Sequence, residues 1–281
     1  MMVVAVGALS LMDACLKGLS RHYPALQVTA LRGLTTLPLV MIWVARTGGF
    51  GQLLRVRAGL HLARGVLGIL ALSLFAYGVR YLPLSEAYAI FFVAPILIMV
   101  FAALFLRESV GWRRWIAIGG GMLGVVIVLR PSGAAALSLP GLAILVTAVC
   151  YALSAITVRI LGRTDSTPSM VFWLMAFVAL GAGLLAWKGW EPIRSEHMPI
   201  LLGLAVTGSI GQWALTEAFK LGESSVIAPL EYTALVWGVG LDWVIWQTGP
   251  AARTLVGAAV VIASGVYLIR RERVHVEAEH P

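Results

Sequence analysis

Asp13, Lys17 and Arg32 stand inside stretches that are otherwise apolar. Ionisable groups at membrane depth are costly, and are paired or turned toward a wet cavity. At 1.5 Å per residue, Asp13 and Arg32 both fall roughly 10 Å in from the outer ends of their helices. A pair between them could tie two helices together, or one partner could meet the charge of a zwitterionic solute. Lys17 follows Asp13 by one helical turn on the same face and is long enough to snorkel outward. Glu231 lies well inside another apolar stretch, beside Tyr232 and just after Pro229, which withholds a backbone N–H. It reads equally as a cavity wall or a structural group, with proton coupling open. Glu217, with Lys220 nearby, reads as a solvated helix-end charge, and Asp242 as an exposed cap.

Polar and aromatic residues recur at helical spacing. Gly208, Gln212 and Thr216 follow one another every fourth residue, a narrow stripe suited to a cavity wall or to close helix packing, with Trp213 beside it. Tyr88 and Phe92 share a helical face, and Tyr77 adds an aromatic on the preceding segment. Aromatics at such positions either pack, meet lipid or line a pocket. Tyr81 and Trp246 suit the membrane interface. The run Gly119–Gly120–Gly121 with Gly124 has no preceding strand and reads as packing, not as a phosphate loop. There is no HExxH, Walker motif or plausible catalytic triad. His22, His61, His197, His275 and His280 all fall at ends or in loops. The two cysteines, Cys15 and Cys150, make no CxxC. No metal site and no cofactor are expected.

The elements that must position these groups follow from composition. Of 281 residues, 60% are apolar and 12% charged, and mean hydropathy is +0.91. A soluble domain carries about 25% charged residues. Too little polar surface is left for a soluble enzyme, and a disordered or fibrous chain is excluded too. Ten apolar segments are each about long enough to cross a bilayer: 2–20, 25–45, 62–81, 85–106, 112–129, 140–161, 168–187, 199–221, 224–246 and 254–269. Continuous runs exclude a transmembrane barrel. Prolines 24, 83, 140, 168 and 199 punctuate segment starts. The first segment lacks a basic leader and is broken by Asp13 and Lys17, so it is not a cleavable signal.

Net charge is +8, but the basic residues sit between apolar segments, so they report orientation rather than nucleic acid. With the N-terminus inside, the cytoplasmic side receives Arg46, Arg55, Arg57, Arg64, Arg107, Arg113, Arg114, Arg159, Arg163, Lys220, Arg270, Arg271 and Arg273. The outer side receives only Arg21, Arg80, Arg130, Lys188, Arg194 and Arg253. Both termini are therefore expected inside, with a short polar tail after Arg273. The halves 1–133 and 134–281 also resemble one another. AIGGGMLGVVIVLR matches AAVVIASGVYLIRR with Gly124 on Gly265, and setting Ser85 on Ser224 aligns Leu82 with Leu221 and Ala89 with Ala228. Five helices per half is odd, so the halves must enter from opposite sides. The expected fold is all-α and integral to the membrane: ten transmembrane helices as two inverted five-helix repeats, the architecture of alternating-access carriers.

The chain resembles EamA-type members of the drug/metabolite transporter superfamily over essentially its whole length. The resemblance rests on LRGLTTLPLV around Arg32, on YLPLSEAYAIFFVAPILIMVFAALFLRESVGWRRWIAIGGGMLGVVIVLRPSG with Pro95 and Glu108, on LTEAFKLGESSVIAPLEYTALVWGVGLDWVIW, and on LVGAAVVIASGVYLIRRE. It implies a ten-helix metabolite transporter, many members being amino-acid exporters. The second half departs from the first. QTGP at 247–250 holds no carboxylate to match Glu108, and Pro229 stands five residues before the position matching Pro95. The expected function is export of amino acids or related metabolites across the bacterial inner membrane. The alternatives are a vitamin or nucleotide-like importer of the same superfamily, a channel, or an intramembrane enzyme. Expected partners are the small solute and the lipid bilayer, not nucleic acid, and the expected state is a monomer or weak dimer. Candidate binding residues are Tyr77, Tyr88, Phe92, Gln212, Trp213, Thr216, Glu231 and Tyr232, with Asp13, Lys17 and Arg32 as structural or coupling charges. Gly68, Pro95, Gly208 and Pro229 are candidate bend points.

Overall fold

The computed structural model describes residues 1–54, 56–82, 84–108, 110–129 and 137–246, and between 256 and 267 all but 258, 261 and 265. Several sequence expectations fall outside these residues: Arg130, the QTGP loop at 247–250, Arg253, most of the tenth segment and the tail. The side chains of Arg113 and Asp242 also lie outside them. Among the described residues the regular structure is helical. Seven helical stretches are long and apolar enough to cross a membrane: Met2–Ser20, Ala25–Thr47, Ala58–Tyr81, Ala87–Leu106, Leu139–Leu161, Thr167–Gly189 and Ser195–Leu221.

The elements are α1 (Met2–Ser20), α2 (Ala25–Thr47), α3 (Ala58–Tyr81), α4 (Leu84–Phe91), α5 (Ala94–Phe101), α6 (Trp112–Leu129), α7 (Leu139–Leu161), α8 (Thr167–Ala186), α9 (Met198–Leu221), α10 (Ser224–Ile227) and α11 (Ala234–Trp246). Local chemistry sets their starts. Ser138 and Ser166 cap α7 and α8, their hydroxyls accepting from the N–H groups of Gly141 at 3.2 Å and Ser169 at 3.3 Å. Pro140 and Pro168 occupy the first turns, where a missing N–H costs nothing. Two segments that read as continuous are broken at prolines. Phe92 and Val93 separate α4 from α5, with Pro95 in the first turn of α5, and a π turn, Ala102–Leu106, ends in Arg107 at φ 55. Pro229 opens a 3₁₀ stretch, Ala228–Thr233, between α10 and α11. In each case the ring removes a ladder hydrogen bond and collides with the preceding turn.

Helix α3 begins at Ala58, not at 62. The extra turn carries His61 into the bundle, where it is buried and not in a loop. It meets Asp165, between α7 and α8, at 2.7 Å. A carboxylate only accepts, so His61 Nε2 carries the proton. Burial of Asp165 disfavours its charge, but hydrogen bonds from Thr164 and His61, the neighbouring imidazole and the Arg57 N–H together hold its carboxyl below the ordinary value.

The main packing pairs are α2 on α8, α1 on α9 and α3 on α7. Exchanging the halves carries α1–α9 into α7–α3, carries α2–α9 into α8–α3, and returns α2–α8 to itself. The α2–α8 seam is very close at Gly33, where a Cβ would lie 2.6 Å from the Ala179 backbone nitrogen. Leu180, Leu184 and Leu202 stand exposed on the outside, as lipid-facing residues do.

One end of the bundle is bound by polar side chains. Glu108 accepts from the Ser224 and Ser225 N–H groups at 3.2 and 3.1 Å and from the Ser225 hydroxyl at 2.8 Å, capping the start of α10. Arg114 bridges Ser225 and Glu223 at 2.7 and 2.6 Å. Glu217 lies at the same end and accepts from Thr167. At the other end Tyr23 bonds His197 at 2.8 Å, and Gln27 exchanges two hydrogen bonds with the Glu191 backbone.

Candidate functional site

A cavity of about 170 Å³ lies within the bundle, and both halves line it. Helix α1 contributes Asp13, α2 contributes Arg32, and α3 contributes Arg64, Gly68 and Phe75. Tyr88, Phe91 and Phe92 come from α4 and the break that follows it. Tyr151 comes from α7, Gln212 and Thr216 from α9, and Glu231 from the 3₁₀ stretch at Pro229. The two broken segments thus bring side chains to the cavity at their breaks.

The polar groups form separate hydrogen-bonded sets. The Tyr88 hydroxyl donates to Asp13 Oδ2 at 2.9 Å, and the Tyr151 hydroxyl to Glu231 Oε1 at 2.9 Å. The two phenol–carboxylate pairs are related by exchange of the halves, but with the roles reversed. In the first half the carboxylate is on the first segment and the phenol on the fourth. In the second the phenol is on the sixth and the carboxylate on the ninth. Arg32 Nη2 donates to Gln212 Oε1 at 3.2 Å, and Gln212 Nε2 to Thr216 Oγ1 at 3.3 Å. Among the described residues no ion pair within 4.0 Å joins Asp13 to Arg32. Arg32 reaches α9 instead, and Tyr88 supplies the donor to Asp13.

Of the residues singled out by sequence, Asp13, Arg32, Gly68, Tyr88, Phe92, Gln212, Thr216 and Glu231 line the cavity. The rest stand apart from its lining. Tyr77 packs on Tyr81, with ring centroids 5.0 Å apart, and Trp213 sets its edge to Trp43 at 6.4 Å. Tyr232 is buried behind Phe92, 5.6 Å between centroids, and its hydroxyl donates to the Phe92 carbonyl at 3.2 Å. Gly208 packs near Met12 and Thr36. Pro95 and Pro229 are buried at the two breaks. Lys17 lies one turn beyond Asp13 on α1, half-buried.

Arg64 and Tyr151 were not anticipated. Arg64 was counted as a cytoplasmic charge, yet it is 2% exposed and lines the cavity. Its Nη1 donates to the Met170 carbonyl at 2.8 Å and its Nη2 to Thr216 Oγ1 at 3.4 Å. A signal existed: Arg64, Gly68, Ala71 and Phe75 follow one another at steps of four, three and four residues and form one helical stripe.

Tyr88→Phe should leave Asp13 without its donor. The expected destabilisation is about 1–3 kcal/mol. Tyr88→Phe in combination with Asp13→Asn should cost less than the sum of the single changes, measured by thermal unfolding in detergent. Additive costs would show that the 2.9 Å bond contributes nothing.

The sequence model of the EamA-like transporter family matches the chain twice, over residues 1–130 and 139–271. The chain is 27% identical over 276 residues to the pseudopaline exporter CntI of Pseudomonas aeruginosa, covering 96% of this chain and 95% of that protein. It is 28% identical over 249 residues to a riboflavin transporter of Vibrio cholerae, covering 85% and 83%. It is 26% identical over 244 residues to an S-adenosylmethionine uptake transporter of Rickettsia conorii, covering 87% and 81%. A crystal structure at 18% identity superposes with a TM-score of 0.80 over 96% of this chain and 97% of that one, a likeness of fold.

Proposed function

Since the chain belongs to the EamA-like transporter family, and so is a multi-pass membrane transporter and not an enzyme, we propose that it exports amino acids or related zwitterionic metabolites across the bacterial inner membrane by alternating access. The observation that carries this reading is the cavity. It is small, sits between the halves and combines guanidinium, carboxylate and phenol groups with aromatic walls. A zwitterion finds partners there for both of its charges.

The reading includes ten helices as two inverted repeats, 1–133 and 134–281, with both termini cytoplasmic. The twofold family match and the packing pairs that interchange with the halves support the repeats. The excess of Lys and Arg between segments supports the orientation, and it survives moving Arg64 from the cytoplasmic set into the cavity. Tyr77, Trp213 and Tyr232 remain candidates for solute contact in a state that opens the bundle differently, with Gly68, Pro95, Gly208 and Pro229 as bends. The names of the riboflavin and S-adenosylmethionine relatives favour a second reading, uptake of a vitamin or nucleotide-like metabolite.

Counterflow in proteoliposomes tests the proposal. Preloaded unlabelled amino acid should drive saturable accumulation of the labelled one, and Gln212→Ala should change the ranking among solutes. Linear, non-saturable flux would indicate a channel. Counterflow by riboflavin but by no amino acid would establish the second reading.

A further inference from the structure

Among the described residues four charged side chains line the cavity: Asp13, Arg32, Arg64 and Glu231. Three of them are engaged by a charge or by more than one bond. Arg32 donates to Gln212, and Arg32 and Asp13 act on one another electrostatically although no ion pair joins them. Tyr88 also donates to Asp13. Arg64 commits both terminal nitrogens, one to the Met170 carbonyl and one to the Thr216 hydroxyl. Glu231 stands apart. It is 5% exposed, and the Tyr151 hydroxyl on Oε1 makes its one side-chain hydrogen bond among the described residues. No cation lies within 4.0 Å of it there, and none acts on it as Arg32 acts on Asp13. An ionisable group at membrane depth needs a partner or a wet cavity.

The free oxygen of Glu231 faces the cavity. The enclosed side-chain atoms left without a partner are Arg32 Nε, Thr36 Oγ1, His61 Nδ1, Arg64 Nε and Ser224 Oγ. Glu231 Oε2 makes no hydrogen bond among the described residues, yet it is not one of these enclosed atoms. It therefore touches open space, and the open space that Glu231 lines is the cavity. A carboxylate oxygen only accepts, and a charged donor bonds it about twice as strongly as a neutral one. The rings of Phe91 and Tyr151, 5.3 Å between centroids, line the same cavity and offer faces that attract a cation. We infer that Glu231 is the ammonium subsite of the cavity, with Tyr151 holding its carboxylate in place, and that the transported solute carries a protonated amine. This rests on the carrier reading above and narrows its substrate class. An α-hydroxy acid of the same shape, or a flavin, brings no ammonium group to Glu231.

The test is counterflow and competition binding on the wild-type protein in lipid, with matched pairs that differ only in the amine. The pairs are L-alanine and L-lactate, L-leucine and its α-hydroxy analogue, and L-phenylalanine and L-phenyllactate, with riboflavin alongside. In every pair that includes a transported amino acid, the amine should compete at least about tenfold more tightly than the hydroxy acid, since a charged hydrogen-bonding partner is worth about that factor. Glu231→Gln keeps an acceptor oxygen for Tyr151 but removes the charge, and should bring the members of each pair close to equality. Asp13→Asn should keep the ratio, whatever it does to the rate. The wild-type ratio decides even if a variant fails to fold. Equal competition by the hydroxy acids in the wild type would overturn the inference and leave the carrier intact. Loss of the ratio in Asp13→Asn would move the amine toward Asp13 and overturn the assignment. If no amino acid binds or moves, the amino-acid carrier reading falls and the inference with it, and riboflavin counterflow in the same vesicles would show that the protein is active.

Discussion

Gly33→Leu is expected to abolish assembly of the bundle, and Gly33→Ala to destabilise it by about 3 kcal/mol, the upper part of the range for overpacking. The cause is local. A Cβ at position 33 would stand 2.6 Å from the backbone nitrogen of Ala179 and 2.8 Å from its Cα. Backbone cannot rotate aside as a side chain can, so α2 and α8 would have to separate along the seam that joins the halves. Gly119→Ala is the matched control, because a Cβ there meets nothing within 4 Å. It should be neutral or slightly stabilising, since alanine favours helix over glycine. Monodisperse yield and thermal midpoint in detergent report both. Equal behaviour of the two alanine variants would mean that the seam is not as close as described.

Asp165→Ala carries the second largest expected effect. It strips the acceptor from His61 Nε2 inside a pair that is buried on both sides, at 1% and 5% residue exposure. Leaving that buried donor without its acceptor costs about 1–3 kcal/mol. Asp165→Asn keeps an acceptor oxygen and should cost less. The pH dependence follows from the lowered carboxyl of Asp165. In the unfolded chain it titrates near its ordinary value of 3.8, so the folded state is favoured by the full amount above that pH. The contribution is lost as pH falls through the lower, folded value. Thermal midpoints of the parent and Asp165→Ala should therefore differ at neutral pH and converge in strong acid. A constant gap down to the acid limit would contradict the assignment.

Hydrophobic runs made the helices legible, because length and apolarity alone decide whether a segment can cross a bilayer. Prolines 95 and 229 marked where segments break, since a missing N–H acts locally. Spacing put Gln212 and Thr216 on one face, and both reach the cavity. Arg64 was misplaced for an equally local reason. It stands two residues inside the expected start at 62, where a basic residue reads as a solvated helix end, and the start of α3 at Ala58 sets it a full turn deeper. The bonds from Tyr88 to Asp13, from Tyr151 to Glu231 and from His61 to Asp165 join residues 75, 80 and 104 positions apart. Periodicity within one helix carries no information about such partners. The same limit hid the acceptor that Arg32 uses, Gln212, 180 positions away.

Gly33 and Ala179 meet without a rotatable torsion on either side. Ordering glycine or alanine side chains costs no rotamer entropy on folding, whereas fixing a longer side chain such as glutamine or glutamate costs up to about 2 kcal/mol. That cost grows with temperature. The polar end contacts at Glu108 and Gln27 pay it in full, and the α2–α8 seam does not. On heating, the end contacts should loosen first, and the join between the halves should be the last interface to melt.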